Sequence, residues 1–144
     1  MKIRLVLAFV LVVLATLGFT ATVPAQTPSR KVFEITASSF KFEPNVIRVN
    51  EGDAVVIRFK NADQAGRPHN FASRYLVDIP LTVRGDGREA VDEGRKYVQV
   101  DVGKAAEFEF VAKGRGSYAF ICGVFIHSFA GMTGQIFVQP AGSP

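Results

Sequence analysis

Apolar and polar residues alternate along most of the chain beyond residue 30, and many of the apolar positions are aromatic or β-branched. A period of two with these residue types is typical of half-buried β-strands. Several short strands at such spacing predict an all-β protein with an antiparallel sandwich or barrel architecture. The predicted strands cover residues 32–42 with an irregularity near Ser38-Ser39, 46–49, 54–59, 107–111, 117–122 and 135–138.

Residues 76–103 are harder to interpret because their apolar positions follow no clear period. Within this segment, residues 97–100 (Tyr-Val-Gln-Val) predict one more strand. The remainder, which includes Gly85, Gly87 and Gly94, is interpreted as loop with a short helix. No internal repeat or low-complexity tract is visible.

The N-terminus has the pattern of a secretory signal peptide. Lys2 and Arg4 precede an apolar run over residues 5–19, and small and polar residues follow as far as Gln26. The run is shorter than the roughly 20 residues that a bilayer span needs. We therefore expect residues 1–25 to be removed after Ala25, with Ala21 as the next choice of cleavage site. The alternative is that they remain as an uncleaved anchor.

Residues 26–144 are long enough for one domain with its own core. We expect this mature domain to be periplasmic or otherwise exported, to be monomeric and to have no membrane span. The formal net charge of the whole chain is only +4, and its arginines are scattered along the sequence. Such dispersal argues against a nucleic-acid-binding surface.

The candidate chemistry is concentrated in four residues. Cys122 is the only cysteine, and His127 and Met132 follow it at intervals of five residues, while His69 is the one other histidine. Two imidazoles and a thiolate in a trigonal arrangement, with a weak axial thioether, form the ligand set of a blue-copper site. The sequence therefore predicts a copper site made by His69, Cys122, His127 and Met132. Metal ligation also explains a lone cysteine in an exported protein.

A β-sandwich can bring these residues to one pole. His69 follows the third predicted strand and a Gly-Arg-Pro turn, and Cys122 ends a later strand. His127 and Met132 lie on the loop before the last strand. Gly123 and Gly131 in this loop are expected to supply positive φ angles where a tight ligand loop needs them.

Three other interpretations remain open at this point. Two histidines and one cysteine with an open fourth position can form a catalytic zinc site. Methionine is a poor zinc ligand, however, and no water-activating carboxylate is obviously placed. A cysteine–histidine nucleophile is the second alternative. The third is that these residues are structural, with the cysteine and the methionine filling the core.

The motifs of the chain resemble those of the cupredoxins, the small blue-copper proteins. The resemblance implies a single Greek-key β-sandwich domain over residues 26–144 that holds one type 1 copper and moves single electrons. It implies that His69 is the upstream imidazole ligand, Cys122 the thiolate, His127 the second imidazole and Met132 the axial ligand. Asn70 then corresponds to a residue that braces the cysteine loop by hydrogen bonds. The motifs are Phe40-x-Phe42-x-Pro44, Ile47-x-Val49, Gly52-Asp53, Val55-x-Ile57-x-Phe59-x-Asn61, His69-Asn70-Phe71, Gly116-x-Tyr118-x-Phe120-x-Cys122 and Gly131-Met132-x-Gly134-x-Ile136-x-Val138.

The function expected from this resemblance is that of a soluble one-electron carrier between redox partners. The alternative is a protein that binds or delivers copper without redox cycling. An enzyme is not expected, because two histidines cannot also build the histidine-rich copper cluster of a multicopper oxidase or nitrite reductase. We expect redox partners to dock transiently near His127, on the apolar side chains of Phe125, Ile126 and Phe129.

Overall fold

Two β-sheets pack face to face in the computed structural model, which describes residues 29–143. The helical structure within that range is a single three-residue 3-10 turn at Arg74–Leu76. The strands are β1 (Arg30–Ser38), β2 (Lys41–Glu43), β3 (Val46–Asn50), β4 (Ala54–Asn61), β5 (His69–Ser73), β6 (Thr82–Gly85), β7 (Arg88–Asp92), β8 (Arg95–Val100), β9 (Ala105–Val111), β10 (Gly116–Ile121) and β11 (Thr133–Gln139).

The two sheets have the orders β2-β1-β4-β9-β6 and β3-β11-β10-β5-β8-β7. Non-consecutive strands are neighbours in both sheets, as in a Greek-key sandwich, which confirms the predicted fold class. Most neighbouring strands are antiparallel, as predicted for the sandwich, but β1 pairs with β4 and β3 pairs with β11 in parallel. Alternation in a sequence reports which face of a strand is buried, and it does not report the direction of the neighbouring strand.

The core lies between the sheets and is rich in phenylalanine. Phe71 from β5 stacks on Phe120 from β10, with ring centroids 4.2 Å apart. Phe42 and Phe59 pack around this pair, and Phe108 contacts Phe71. Fully burying a side chain of this size stabilises the fold by about 1.5–3 kcal/mol. The aromatic core therefore fixes the central strands that end next to the predicted metal ligands.

The interpretation of residues 76–103, apart from 97–100, as loop with a short helix was wrong. Three strands lie there, and only the run at residues 97–100 was predicted, which the structure confirms as part of β8. Every residue of β7 is exposed, so this edge strand has no buried positions to give a period of two. β7 and β8 are joined by Glu93-Gly94, both at positive φ (47° and 69°), as a two-residue hairpin turn of type I′ requires.

The predicted irregularity near Ser38-Ser39 is a hairpin between β1 and β2. Ser38 pairs with Lys41, and the two turn residues, Ser39 and Phe40, have φ angles of 47° and 62°. A bulky residue such as phenylalanine rarely adopts this left-handed conformation. Since β1 runs parallel to β4, the turn lies at the pole of the sandwich where β4 ends.

The same pole collects the predicted ligands. His69 begins β5, Cys122 follows the last residue of β10, and Met132 directly precedes β11. β5 and β10 are antiparallel neighbours in the centre of their sheet, with Ile121 opposite Ala72. Cys122 and His69 are therefore held near each other by two neighbouring central strands, of which β5 is buried at every residue.

The predicted signal peptide at residues 1–25 lies outside the described residues, so its assignment stays a prediction. Within residues 29–143, none of the helical structure is long and apolar enough to cross a membrane.

Candidate metal centre

Three buried side chains converge at this pole. The Sγ atom of Cys122 lies 3.6 Å from Nδ1 of His69 and 3.4 Å from Nδ1 of His127. One donor atom from each of the three residues lies within 4.8 Å of the others. Metal bonds to nitrogen and sulfur of about 2.0–2.3 Å, as zinc makes, place such donors roughly 3–4 Å apart. The spacing and chemistry of these atoms therefore fit a single ion.

The loop at residues 123–132 is held by its own backbone hydrogen bonds. The amide of His127 donates to the carbonyl of Val124 at 3.1 Å, and the amide of Met132 donates to the carbonyl of His127 at 3.0 Å. The amide of Cys122 in turn donates to the carbonyl of Met132 at 3.0 Å. These bonds fix the cysteine and the second histidine relative to each other.

Of the two loop glycines expected to have positive φ angles, one does. Gly131 has a φ of 90°, as predicted. Gly123 does not have a positive φ, and the left-handed residue in that half of the loop is Phe125, at 47°. The loop therefore turns at a phenylalanine, at a position where glycine would be the usual choice.

The backbone hydrogen bonds of Met132 hold this residue next to the three donor side chains. Its amide and carbonyl bond to His127 and Cys122, and its side chain is fully buried in the core cluster. A buried thioether at this position is compatible with a weak axial ligand. The axial role itself stays a prediction.

Asn70 braces the loop as the family resemblance implied. Its Oδ1 atom accepts a hydrogen bond from the amide of Gly123 at 2.7 Å. Asn70 follows His69 and Gly123 follows Cys122, so the bond links the chain positions next to two predicted ligands.

The pKa values of Cys122 and His127, two of the predicted ligands, are both shifted in the direction that favours the uncharged side chain. Burial raises the pKa of the Cys122 thiol, although the backbone amides of Asn70 and Val124 act in the opposite direction. Burial lowers the pKa of His127; His69 and Arg67 act in the same direction, and Asp63 acts in the opposite one. A metal ion binds the thiolate, so binding must release the thiol proton.

The structure adds a buried carboxylate that the sequence analysis did not single out. Oδ2 of Asp63 lies 3.1 Å from Nε2 of His69, and both side chains are fully buried. Burial would raise the pKa of this carboxyl, but hydrogen bonds from His69, Arg67 and the amides of Ala65 and Ser39 hold it well below its usual range. In the sequence, Asp63 could be noticed only because it lies six residues before His69, a predicted ligand. Its segment looked like an ordinary turn.

A second residue missed in the sequence is Phe40. Its ring meets the ring of His127 edge to face, with centroids 4.9 Å apart. The guanidinium of Arg67 also lies over the Phe40 ring, 4.3 Å from its centroid. The left-handed turn at Phe40 therefore places an aromatic cover over the second histidine. No pattern in the sequence predicted that contact.

The apolar loop residues differ in exposure. Phe125, Ile126 and Phe129 are 92%, 67% and 91% exposed, whereas Val124 packs against the core. His127 is only 4% exposed, against 0% for His69. Only a narrow edge of His127 therefore reaches solvent, and exposed apolar side chains lie close to it in sequence.

A family model described as "Cupredoxin-like domain" matches residues 7–138 of the chain. The chain belongs to this family. The β-sandwich and the His-Cys-His cluster of this cupredoxin agree with the match, and the positions of His69, Cys122 and His127 are consistent with a site for one type 1 copper ion.

Two groups of known proteins are similar to this cupredoxin. The multicopper oxidase mco of Staphylococcus aureus is 30% identical over 109 residues, which are 72% of this chain and 24% of the relative. The cupredoxin thus spans about a quarter of the length of the curated relatives that it matches.

The second group consists of auracyanins of known structure. Reduced auracyanin from Roseiflexus castenholzii aligns with a TM-score of 0.58 at 18% identity, over 79% of this chain and 98% of that one. Auracyanin A, a "blue" copper protein from Chloroflexus aurantiacus, aligns with a TM-score of 0.56 at 20% identity, over 76% and 99%. At such identity the likeness shows a shared fold.

Proposed function

We propose that this cupredoxin is a soluble one-electron carrier whose type 1 copper is held by Nδ1 of His69, Sγ of Cys122 and Nδ1 of His127, with Met132 as axial ligand. The observation that carries the proposal is the buried cluster of these three donors, with both sulfur–nitrogen separations suited to one shared ion. When bound, copper would supply a one-electron couple between Cu(II) and Cu(I).

The chain contributes a preformed site. His69 is fixed by β5, Cys122 follows β10, and His127 is held by a loop whose ends are hydrogen-bonded to each other. A site that keeps one geometry in both oxidation states needs little rearrangement when an electron moves. This rigidity supports a carrier over a protein that must open to release its metal.

Copper delivery without redox cycling is the less favoured alternative. Delivery by ligand exchange requires donors that a partner can reach, and here Cys122 and His69 are 0% exposed and His127 is 4% exposed. A multicopper oxidase activity, such as the Staphylococcus relative carries by name, would need further copper ligands. Both histidines of this chain already belong to the one cluster.

The proposed docking surface consists of Phe125, Ile126 and Phe129, which we call the apolar loop patch. Their exposure supports a weak, transient interface in which a partner covers the narrow edge of His127. The proposed carrier would be exported, with residues 1–25 as its signal peptide. Mass spectrometry of the mature N-terminus tests that assignment.

Copper loading of the purified domain tests the proposed site. The Cu(II) form should show an intense visible band from sulfur-to-copper charge transfer, and the band should disappear reversibly on reduction. Cys122→Ser should abolish the band while leaving a folded β-domain by circular dichroism, because the hydroxyl cannot replace the thiolate. An unchanged band in Cys122→Ser, or a colourless wild-type Cu(II) form, would contradict the proposal.

A further inference from the structure

The carboxylate of Asp63 forms a direct link to a proposed copper ligand. Its Oδ2 atom is 3.1 Å from Nε2 of His69, on the ring nitrogen that faces away from Cys122. Both side chains are completely buried, so water does not compete for the contact. Within residues 29–143, His69 is the histidine that pairs with a carboxylate.

The carboxylate is held independently of His69. Arg67 binds it through Nε, at 3.2 and 3.3 Å, and through Nη2, at 3.0 Å. The amide of Ala65 donates to Oδ1 at 2.7 Å, and the amide of Ser39 donates to Oδ2 at 3.3 Å. Each of these partners is a donor. The site is therefore built for an acceptor that carries negative charge.

The segment that carries Asp63 is itself fixed to the sandwich. The amide of Asp63 donates to Oδ1 of Asn61 at 3.0 Å, and Nδ2 of Asn61 donates to the carbonyls of Arg67 and Val100. Asn61 is the last residue of β4, and Val100 lies opposite His69 in the sheet. The carboxylate thus has a defined place relative to the histidine before any metal binds.

We propose that Asp63 is a positioning residue of the copper site, which holds His69 as the Nε2–H tautomer and lowers the reduction potential by placing a buried negative charge next to this ligand. The inference rests on the proposed copper function. A carboxylate can only accept from His69, so Nε2 carries the proton and Nδ1 presents its lone pair toward Cys122. A hydrogen-bonded carboxylate also makes an imidazole ligand more basic, which stabilises Cu(II) relative to Cu(I).

The positive charge of Arg67 partly offsets the negative charge of Asp63. The electrostatic surroundings of His69 and His127 nevertheless remain different. Its guanidinium pairs with Asp63 and lies over the ring of Phe40, which in turn contacts His127. His69 therefore faces the negative end of the pair, and His127 is separated from the positive end by an aromatic ring. Removal of the carboxylate charge should leave Arg67 unbalanced and raise the potential further.

The test is Asp63→Asn in the full domain, with Glu51→Gln as the matched control. The amide oxygen of asparagine is expected to take the place of Oδ2, where His69, Arg67 and Ser39 converge, so that the acceptor stays and the charge is lost. Glu51 pairs with Arg115 at 3.0 Å at the opposite pole of the sandwich. Its substitution removes the same charge far from the site.

We expect Asp63→Asn to keep the visible band and to raise the ratio of the Cu(II) to Cu(I) dissociation constants about tenfold. That change corresponds to a rise in potential of about 59 mV for a one-electron couple. Glu51→Gln should leave the potential unchanged. A blue wild type in which Asp63→Asn shifts the potential no more than Glu51→Gln would overturn this inference alone. A wild type with no blue band would overturn the proposed function, and this inference with it.

A measurement on the copper-free wild type covers the case in which Asp63→Asn does not fold. Nitrogen-15 NMR of the imidazole rings should show His69 protonated at Nε2 and unprotonated at Nδ1. A predominant Nδ1–H tautomer for His69 would overturn the positioning role, whatever the colour of the copper-loaded protein.

Discussion

The side chain of Asn70 joins strand β5 to the loop that follows β10, since its Oδ1 atom accepts a hydrogen bond from the amide of Gly123 at 2.7 Å. The bond spans 53 positions in the sequence and lies one residue beyond both His69 and Cys122. It therefore holds the distance between an imidazole and the thiolate without either of them taking part.

Replacing Asn70 with alanine should loosen the copper site more than the fold. The amide of Gly123 would lose its partner, and because Gly123 is exposed and water can replace Asn70, the cost should be only about 0.5–1.5 kcal/mol. Copper affinity should fall about tenfold, as for other residues that support a metal ligand. Denaturant unfolding of the copper-free protein and competition with a copper chelator measure the two effects.

Asn50→Ala is the matched control for that experiment. Nδ2 of Asn50 donates to the carbonyl of Ser143 at 2.9 Å, near the opposite pole. This variant should lose some stability but retain wild-type copper affinity. Equal affinities for the Asn70 and Asn50 variants would mean that the brace does not support the ligands.

Met132→Leu should keep copper and the visible band but raise the reduction potential, because the thioether that helps to stabilise Cu(II) is removed. Each tenfold change in the ratio of Cu(II) to Cu(I) affinity amounts to about 59 mV, and a shift of that order is expected. Leucine has a similar volume, so the fully buried position should cost less than about 1.5 kcal/mol. Cyclic voltammetry that gave a clearly lower potential would count against Met132 as axial ligand.

Asp53 should make the stability of the fold depend on acid pH. Its buried carboxylate accepts from the amide of Asn50 at 2.9 Å and from the amide and hydroxyl of Ser29 at 3.1 and 2.9 Å. Burial opposes ionisation, but the bonds from Asn50 and Ser29 outweigh it, so the pKa of Asp53 is lowered from its usual value. A carboxyl with a lowered folded pKa stabilises the fold above its unfolded pKa and loses that contribution as the pH falls through the folded value.

Asp53→Asn should therefore reduce the free energy of unfolding by about 2 kcal/mol near neutral pH. The difference from wild type should shrink below about pH 4. Asp101→Asn breaks an exposed ion pair with Arg88 and should change stability by less than about 1 kcal/mol. Urea unfolding at several pH values gives the comparison. A difference for Asp53→Asn that grew on acidification would have the wrong sign for this argument.

Two kinds of feature could be predicted from the sequence. Half-buried strands follow from the period-two alternation of apolar residues, and the candidate metal ligands follow from their side-chain chemistry. The residues of the alternating run at 107–111 are in turn fully buried and more exposed within β9, because that strand has one face on the core. The cluster of Cys122 with His69 and His127 could be predicted because few other side chains in the chain are suited to a soft metal ion.

Features set by tertiary context could not be predicted in this way. β7 is exposed along its whole length, and it exists because β8 offers it a hydrogen-bonding edge. The roles of Asp63 and Phe40 depend on how two separate turns meet at one pole. Aspartate is common in turns, and Phe40 was expected to lie within a strand, so only the fold reveals what these two side chains contact.

The apolar loop patch provides the last prediction, which concerns the route of the electron. Phe125, Ile126 and Phe129 are exposed apolar side chains on the loop that holds His127, and the narrow edge of His127 is the most accessible part of the three-donor cluster. If a partner docks on the patch, a glutamate at any of the three positions should oppose the apolar contact. Reduction by a partner protein should then slow by about tenfold, while the copper spectrum stays nearly unchanged because no ligand is altered.

Val111→Glu is the control, since Val111 is also an exposed apolar residue, 47% accessible, and lies opposite Ala54 at the far pole. Stopped-flow rates with a physiological partner, or with another electron-transfer protein in its place, compare the variants. A neighbouring charge shifts the potential as well, so the potential of each variant must be measured and its effect on the driving force removed. Wild-type rates for glutamate at all three patch positions would show that the electron takes another route. The docking patch would then be abandoned, and the copper site would stand, because it rests on the buried donors of His69, Cys122 and His127.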